Sequence, residues 1–167
     1  VNIAELLTDG FGRVQEVVHE VVDGLSADQL AWRAAEDANS IAWLVWHLTR
    51  VQDSHIAEVA DTEQAWTADG WADRFALPFS PDATGYGQDP ADVAGVVVGS
   101  DLLAGYYDAV HERTVAYLAK LTDPDLDRIV DTNWTPHVTL GVRLVSVLDD
   151  DIQHAGQAAF VRGILPV

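Results

Sequence analysis

The strongest constraint on the fold is the spacing of apolar residues. They recur at helical intervals through four long segments and do not alternate as they would in strands. From about Asn2 to Val22, Leu6, Leu7, Val14, Val17, Val18, Val21 and Val22 fall at helical spacing, and Gly24 follows as a helix stop. A connector over residues 25–37 carries Leu30 and Trp32. Asn39-Ser40 then reads as the N-cap of a second helix, from about Ile41 to Val59, with Ile41, Leu44, Leu48, Val51 and Val59 as its stripe. A third helix is expected from about Ala91 to Leu121 and uses Val97, Leu102, Leu103, Tyr106, Val110, Tyr117 and Leu118. Thr122-Asp123-Pro124 stops it. The connector 131–136 leads into Thr139 and a fourth helix running to about Ile164. Four amphipathic helices with wide apolar faces predict an all-α fold, a four-helix bundle. The 167 residues suffice for one cored domain and are few for two, so residues 1–167 read as a single bundle domain.

Residues 62–90 interrupt the pattern. Trp66, Trp71, Phe75, Phe79 and Tyr86 are interleaved there with Pro78, Pro81, Gly85 and Gly87. So aromatic a stretch argues against disorder. It is expected to be a loop without regular structure, packed over one end of the bundle, and a loop of that length is usually functional. The exposed parts of Trp66 and Trp71 would serve a pocket lid or a homodimer contact.

Inside the fourth helix lies an acidic triplet, Asp149-Asp150-Asp151, with His154 four residues after the second of them. A carboxylate and an imidazole at i and i+4 stand one above the other on a helix face, a common way to offer two ligands to one divalent ion. A third candidate is His47, which projects between Leu44 and Val51 toward the core side of the second helix. His55 competes with it, and at about 12 Å of helical rise the two cannot share one ion. The bland alternatives are a hydrogen-bonded core histidine and a solvated acidic patch. Projection alone leaves the carboxylate open: Asp151 lies nearer the middle of the stripe of Leu144, Val147, Ala155 and Ala158, and Asp150 at its edge.

Composition narrows the chemistry. There is no cysteine, hence no thiolate ligand and no cysteine nucleophile, so any metal is held by histidine, carboxylate and water. Two histidines and one carboxylate suit zinc, nickel or iron(II). The net charge of −18 repels phosphate backbones and anionic lipid, so neither nucleic acid nor a membrane is expected as a partner. There is no run of eighteen apolar residues, and no basic block followed by an apolar one opens the sequence. A cytoplasmic protein is expected.

The residues 39–48 (NSIAWLVWHL), Thr84-Gly85-Tyr86-Gly87, and Arg143-Leu144-Val145-Ser146-Val147 leading into Gln153-His154-Ala155-Gly156-Gln157 together resemble the DinB superfamily. More narrowly they are similar to its actinobacterial branch, related to mycothiol-dependent maleylpyruvate isomerase and to mycothiol or bacillithiol S-transferases. The resemblance spans essentially the whole chain. It implies an up-down-down-up bundle with a divalent metal at one end, and metal ligands at His47, Asp150 and His154. The middle ligand is histidine in many members and glutamate in the isomerases. Aspartate at position 150 departs from both by a shorter arm. The chain also shows no counterpart of the isomerases' additional C-terminal domain, so thiol transfer is expected rather than maleylpyruvate isomerisation.

The resemblance further implies a thiol such as mycothiol as co-substrate, held as thiolate by the ion and directed at a small electrophile under the aromatic loop. Asp151 and His55 are candidates to orient a metal ligand. Arg143 and Arg162 are candidates for an anionic group on a substrate, with Tyr86 and Trp43 as further substrate contacts. For either arginine a surface ion pair is the plainer role. The competing functions are a non-catalytic metal- or small-ligand-binding stress protein and a metal-dependent hydrolase.

Overall fold

Capping residues start three of the four long helices where the sequence places them. In the computed structural model, which describes residues 1–166, Asn2 and Glu5 form a reciprocal capping box at the start of α1 (Ile3–Val22). Ser40 accepts from the Trp43 amide at the start of α3 (Ile41–Ala60), and Thr139 accepts from Val142 at the start of α8 (Leu140–Gly163). Between them lie α2 (Ala27–Leu30), α4 (Ala65–Ala68), α5 (Trp71–Phe75), α6 (Pro90–Ala94) and α7 (Ser100–Leu118).

The long helices α1, α3, α7 and α8 form the bundle. Contacts between helix ends give its topology. Tyr107 reaches back to the Phe11 carbonyl, and Leu7 and Leu118 meet in one cluster, so α7 runs against α1. Gln52 donates to Thr114 and Tyr117 to the Val59 carbonyl, so α7 runs with α3. Arg162 donates to the carbonyls of Val21 and Asp23, setting the end of α8 beside the end of α1. The order is therefore up-down-down-up, with α1 and α8 running one way and α3 and α7 the other.

Three sequence expectations need correction. The third helix does not run from Ala91 to Leu121. It breaks after α6 at Gly95 and restarts at Ser100. In the break Val96 and Val98 are buried while Val97 is exposed, an alternation that an unbroken helix would not give. A small antiparallel hairpin, β1 (Ile129–Asp131) with β2 (Val138–Thr139), forms where no strand is expected. Residues 62–90 are also not structureless, since they contain α4 and α5.

Nor does that segment offer an exposed tryptophan surface. Trp66 and Trp71 are buried, and the rings of Trp46, Trp66, Phe75 and Tyr106 pack edge to face or tilted about one another. Asp53 holds the segment down, accepting from the amides of Ala65 and Trp66 and from the Tyr106 hydroxyl. Trp66 and Trp71 are consumed in the core, so these two rings supply neither a lid nor a dimer contact.

Candidate metal centre

His47 lies in the second turn of α3, where Trp43, Leu44, Trp46 and Leu48 are all buried, and it is itself only 6% exposed. Its ring stacks on Trp43 with centroids 4.6 Å apart. Its Nδ1 lies 2.5 Å from the Thr84 carbonyl oxygen. A carbonyl only accepts, so Nδ1 carries the proton and Nε2 keeps its lone pair. Burial pulls the imidazole below its ordinary range against the opposing Thr84 hydrogen bond, and the neighbouring His154 lowers it further. A neutral imidazole is the form that ligates metal.

His154 is arranged in the same way. Its Nδ1 lies 2.8 Å from the Asp150 backbone carbonyl one turn earlier, which again frees Nε2. The two imidazoles meet edge to face at 4.7 Å. Asp150 completes the group: one donor atom from each of His47, Asp150 and His154 lies within 4.8 Å of the other two. The buried Asp150 Oδ2 has no hydrogen-bond partner. A buried carboxylate oxygen left unpaired in one cluster with two neutral imidazoles is what a divalent cation would satisfy. The shorter arm of aspartate still brings its carboxylate to the histidines, and the donor set fits a divalent ion.

Asp151 goes elsewhere. It points into the core, fully buried, with neither carboxylate oxygen hydrogen-bonded, and it is not in the cluster. Burial pushes its carboxyl well above the usual range, and the charge of Asp150 adds to this. His55 sits two turns past His47 with Nδ1 2.5 Å from Arg143 Nη1. Arg143 also reaches Asp131 at 3.0 Å and Glu58 at 3.3 Å, so its guanidinium is occupied. Arg162 is engaged with the end of α1. The Trp43 indole donates to Gln88, and Tyr86 is 95% exposed beside the cluster.

Two features escape a reading based on spacing. Thr84 acts through its carbonyl, and Gly85 (φ 100°) lies so close to His47 that a Cβ there would overlap Nδ1 and sit 2.9 Å from Cγ. The Thr-Gly-Tyr-Gly motif signals them, through the resemblance alone. The other is a cleft of about 470 Å³ that begins at Asp150 and runs between α3 and α8 past Val51, Val147 and His55 to Arg143. Its outer wall is Trp134, from the connector between the strands, and Val138, in β2, and no residue of 62–90 lines it.

Fold and cluster together define a class, the DinB-like helical bundles with a histidine–carboxylate group between two of the long helices. The chain belongs to the mycothiol S-transferase family: a family model described as Mycothiol-S-transferase matches residues 6–166. A crystal structure described as a conserved protein from Enterococcus faecalis is similar throughout, with a TM-score of 0.93 at 30% identity over 99% of this chain and 98% of that one. No curated protein matches the chain. Among the described residues no helix is long and apolar enough to cross a membrane.

Proposed function

We propose that this protein is a divalent-metal-dependent thiol S-transferase, joining the sulfur of a mycothiol-type thiol to a small electrophile. The observation that carries the reading is the tautomer lock at the cluster. Both histidines give their Nδ1 protons to backbone carbonyls, so both Nε2 lone pairs are free, and Asp150, with its unpartnered oxygen, belongs to the same cluster. His47, Asp150 and His154 would hold a divalent ion, with zinc the best match to this donor set and nickel or iron(II) compatible, and such an ion would supply Lewis acidity that lowers the pKa of a thiol toward neutral.

The protein's own residues do the rest. Trp43 and the Thr84 carbonyl fix the plane of His47, and the i, i+4 geometry fixes His154 against Asp150. A mainly apolar groove of about 520 Å³ farther along α8, walled by Ala34, Leu44, Phe160, Val161 and Ile164, carries the amides of Asn39, Gln153 and Gln157. Its three amides offer uncharged hydrogen-bonding partners to the hydroxyl groups of a thiol such as mycothiol. In the transfer the thiol proton passes to solvent, a sulfur–carbon bond forms and the leaving group departs with its electron pair. Metal-dependent hydrolysis, the competing use of the same ligands, needs a general base beside the ion. Asp151 is turned into the core and His55 Nδ1 faces Arg143, so neither favours it.

The test is thiol conjugation by chelator-treated protein with and without added zinc. Activity is expected to vanish on stripping and return with about one equivalent of metal, and His47→Ala and His154→Ala should fall to the uncatalysed rate. Full activity in verified metal-free protein would sink the reading.

A further inference from the structure

The cleft that starts at Asp150 carries its own chemical signature. Its length is lined by Val51, Val138, Val142 and Val147, and Trp134, 66% exposed, stands at its rim. A cleft of this volume with one apolar wall suits one small aromatic body. Its polar lining is His55, Asp131, Arg143, Ser146 and Asp150, and the states of the groups at its far end can be read from the geometry. Arginine only donates, so the Arg143–His55 contact makes His55 Nδ1 the acceptor and places the ring proton on Nε2. His55 therefore offers the cleft a neutral N–H donor.

Arg143 looks from sequence like an anion receptor, but its charge is already answered. Asp131 binds Nη2, and Glu58 and His55 share Nη1. Asp131 is itself held ionised by the Asn133 amide and, less strongly, by Arg143, which keep its carboxyl below the usual range. Two carboxylates thus face one guanidinium at the far end of the cleft, and an incoming anion meets no unpaired cation there. The net charge of −18 acts in the same direction.

Resting on the S-transferase reading for its role, we infer that this cleft binds the electrophile and selects an uncharged aromatic one bearing an oxygen acceptor, such as a carbonyl or nitro group. Its ring lies against Val51, Val147 and Trp134, its acceptor faces His55 Nε2, and its reacting carbon is directed toward Asp150. Anionic electrophiles are excluded because Glu58 and Asp131 occupy Arg143.

A binding experiment tests the cleft without requiring turnover. The full chain loaded with zinc is titrated with 2,4-dinitrotoluene and with 2,4-dinitrobenzenesulfonate, which differ mainly in one negative charge. Quenching of tryptophan fluorescence reports binding, and the absence of cysteine removes the fast thiol reaction with the sulfonate, while work near neutral pH keeps the amines of Lys120 and the N-terminus protonated. The neutral compound is expected to bind at least about tenfold more tightly, a difference of about 1.4 kcal/mol. In the double variant Glu58→Gln/Asp131→Asn the gap should close, because Arg143 is released to pair with the sulfonate. Ser146→Phe, on an exposed wall of the cleft, should abolish binding of the neutral compound while zinc content and helical content stay unchanged. The proposal is overturned if the sulfonate binds as well as the neutral compound in the unmodified protein, if the double variant leaves the ratio unchanged, or if Ser146→Phe binds normally. Conjugation of mycothiol to 1-chloro-2,4-dinitrobenzene is measured separately. Its absence beside intact cleft binding would count against S-transfer and leave the cleft's selectivity standing.

Discussion

At the scale of single residues, the candidate centre depends on one missing side chain. Gly85 is the position where the loop can pass close enough for the Thr84 carbonyl to hold His47, and its left-handed φ suits glycine on conformational grounds as well. Gly85→Ala should therefore turn the imidazole away and weaken zinc binding about 10- to 100-fold, the usual effect of disturbing a ligand's orienting partner. Competition with a chromophoric chelator measures this, and an unchanged affinity with normal helicity would remove Gly85 from the site. Asp151 makes a different prediction. Its folded-state carboxyl is raised, so the folded chain keeps a proton that the unfolded chain releases above about pH 3.9. Its contribution is fullest below that pH and is lost as pH rises toward the folded-state value. Asp151→Asn removes the term, so the melting temperature of the variant relative to the parent should climb as the pH rises from about 4 toward the raised folded-state value, and a pH-independent difference would refute the assignment. The two neighbouring aspartates also mark a limit of legibility. Helical projection ranks Asp151 as the more central, correctly, but being central on this stripe means facing the core and not His47. That distinction depends on where α3 crosses α8, which no single-helix pattern contains.

At the scale of elements, the four long helices were legible because burial on one face imposes the 3.6-residue period. Their caps at Asn2, Ser40 and Thr139 follow from side-chain chemistry that is equally local. The break between α6 and α7 was not legible. Val96, Val97 and Val98 continue an apolar helical pattern, and only the burial of the first and third reveals an extended passage. The segment 62–90 was half legible: its aromatic content predicts packing, but the anchor is Asp53, a polar residue on α3. Asp53 accepts three hydrogen bonds and lies 4.0 Å from the equally buried Arg50. Asp53→Ala strips the caps from α4 and leaves a buried guanidinium without its carboxylate. A loss of about 3–5 kcal/mol is expected, as for other broken buried pairs. Urea unfolding reads it as a lower midpoint, whereas a change under about 1 kcal/mol would show that Gln64 and the Ala83 carbonyl, the other acceptors of Arg50, suffice.

For the whole molecule, helical periodicity implies a bundle but not the order of its helices, since antiparallel neighbours and crossover connections bury the same stripes. The up-down-down-up order came from the resemblance, and the end-to-end contacts of α1, α7 and α8 bear it out. Net charge acts at the same scale, and its effect on stability can be given a sign. Nine basic residues face 27 acidic ones, and several of the basic side chains, Arg50, Arg143 and Arg162 among them, are turned inward to partners. The remaining surface is a field of like charges that repel one another more strongly in the folded state than in the expanded chain. Exposed ion pairs such as Asp9–Arg13 oppose this, but each is worth only a few tenths of a kcal/mol to about 1 kcal/mol. Raising the ionic strength from about 0.01 M to 0.15 M shortens the screening length from about 30 Å to about 8 Å, which removes long-range repulsion while sparing the close pairs. The melting temperature of metal-free protein should therefore rise with salt, by roughly 2–4 °C for each kcal/mol relieved. Sodium and potassium chloride should act alike if screening is the cause. If instead the ion pairs outweigh the repulsion, the melting temperature will fall over the same range, and the acidic surface will have to be regarded as stabilising.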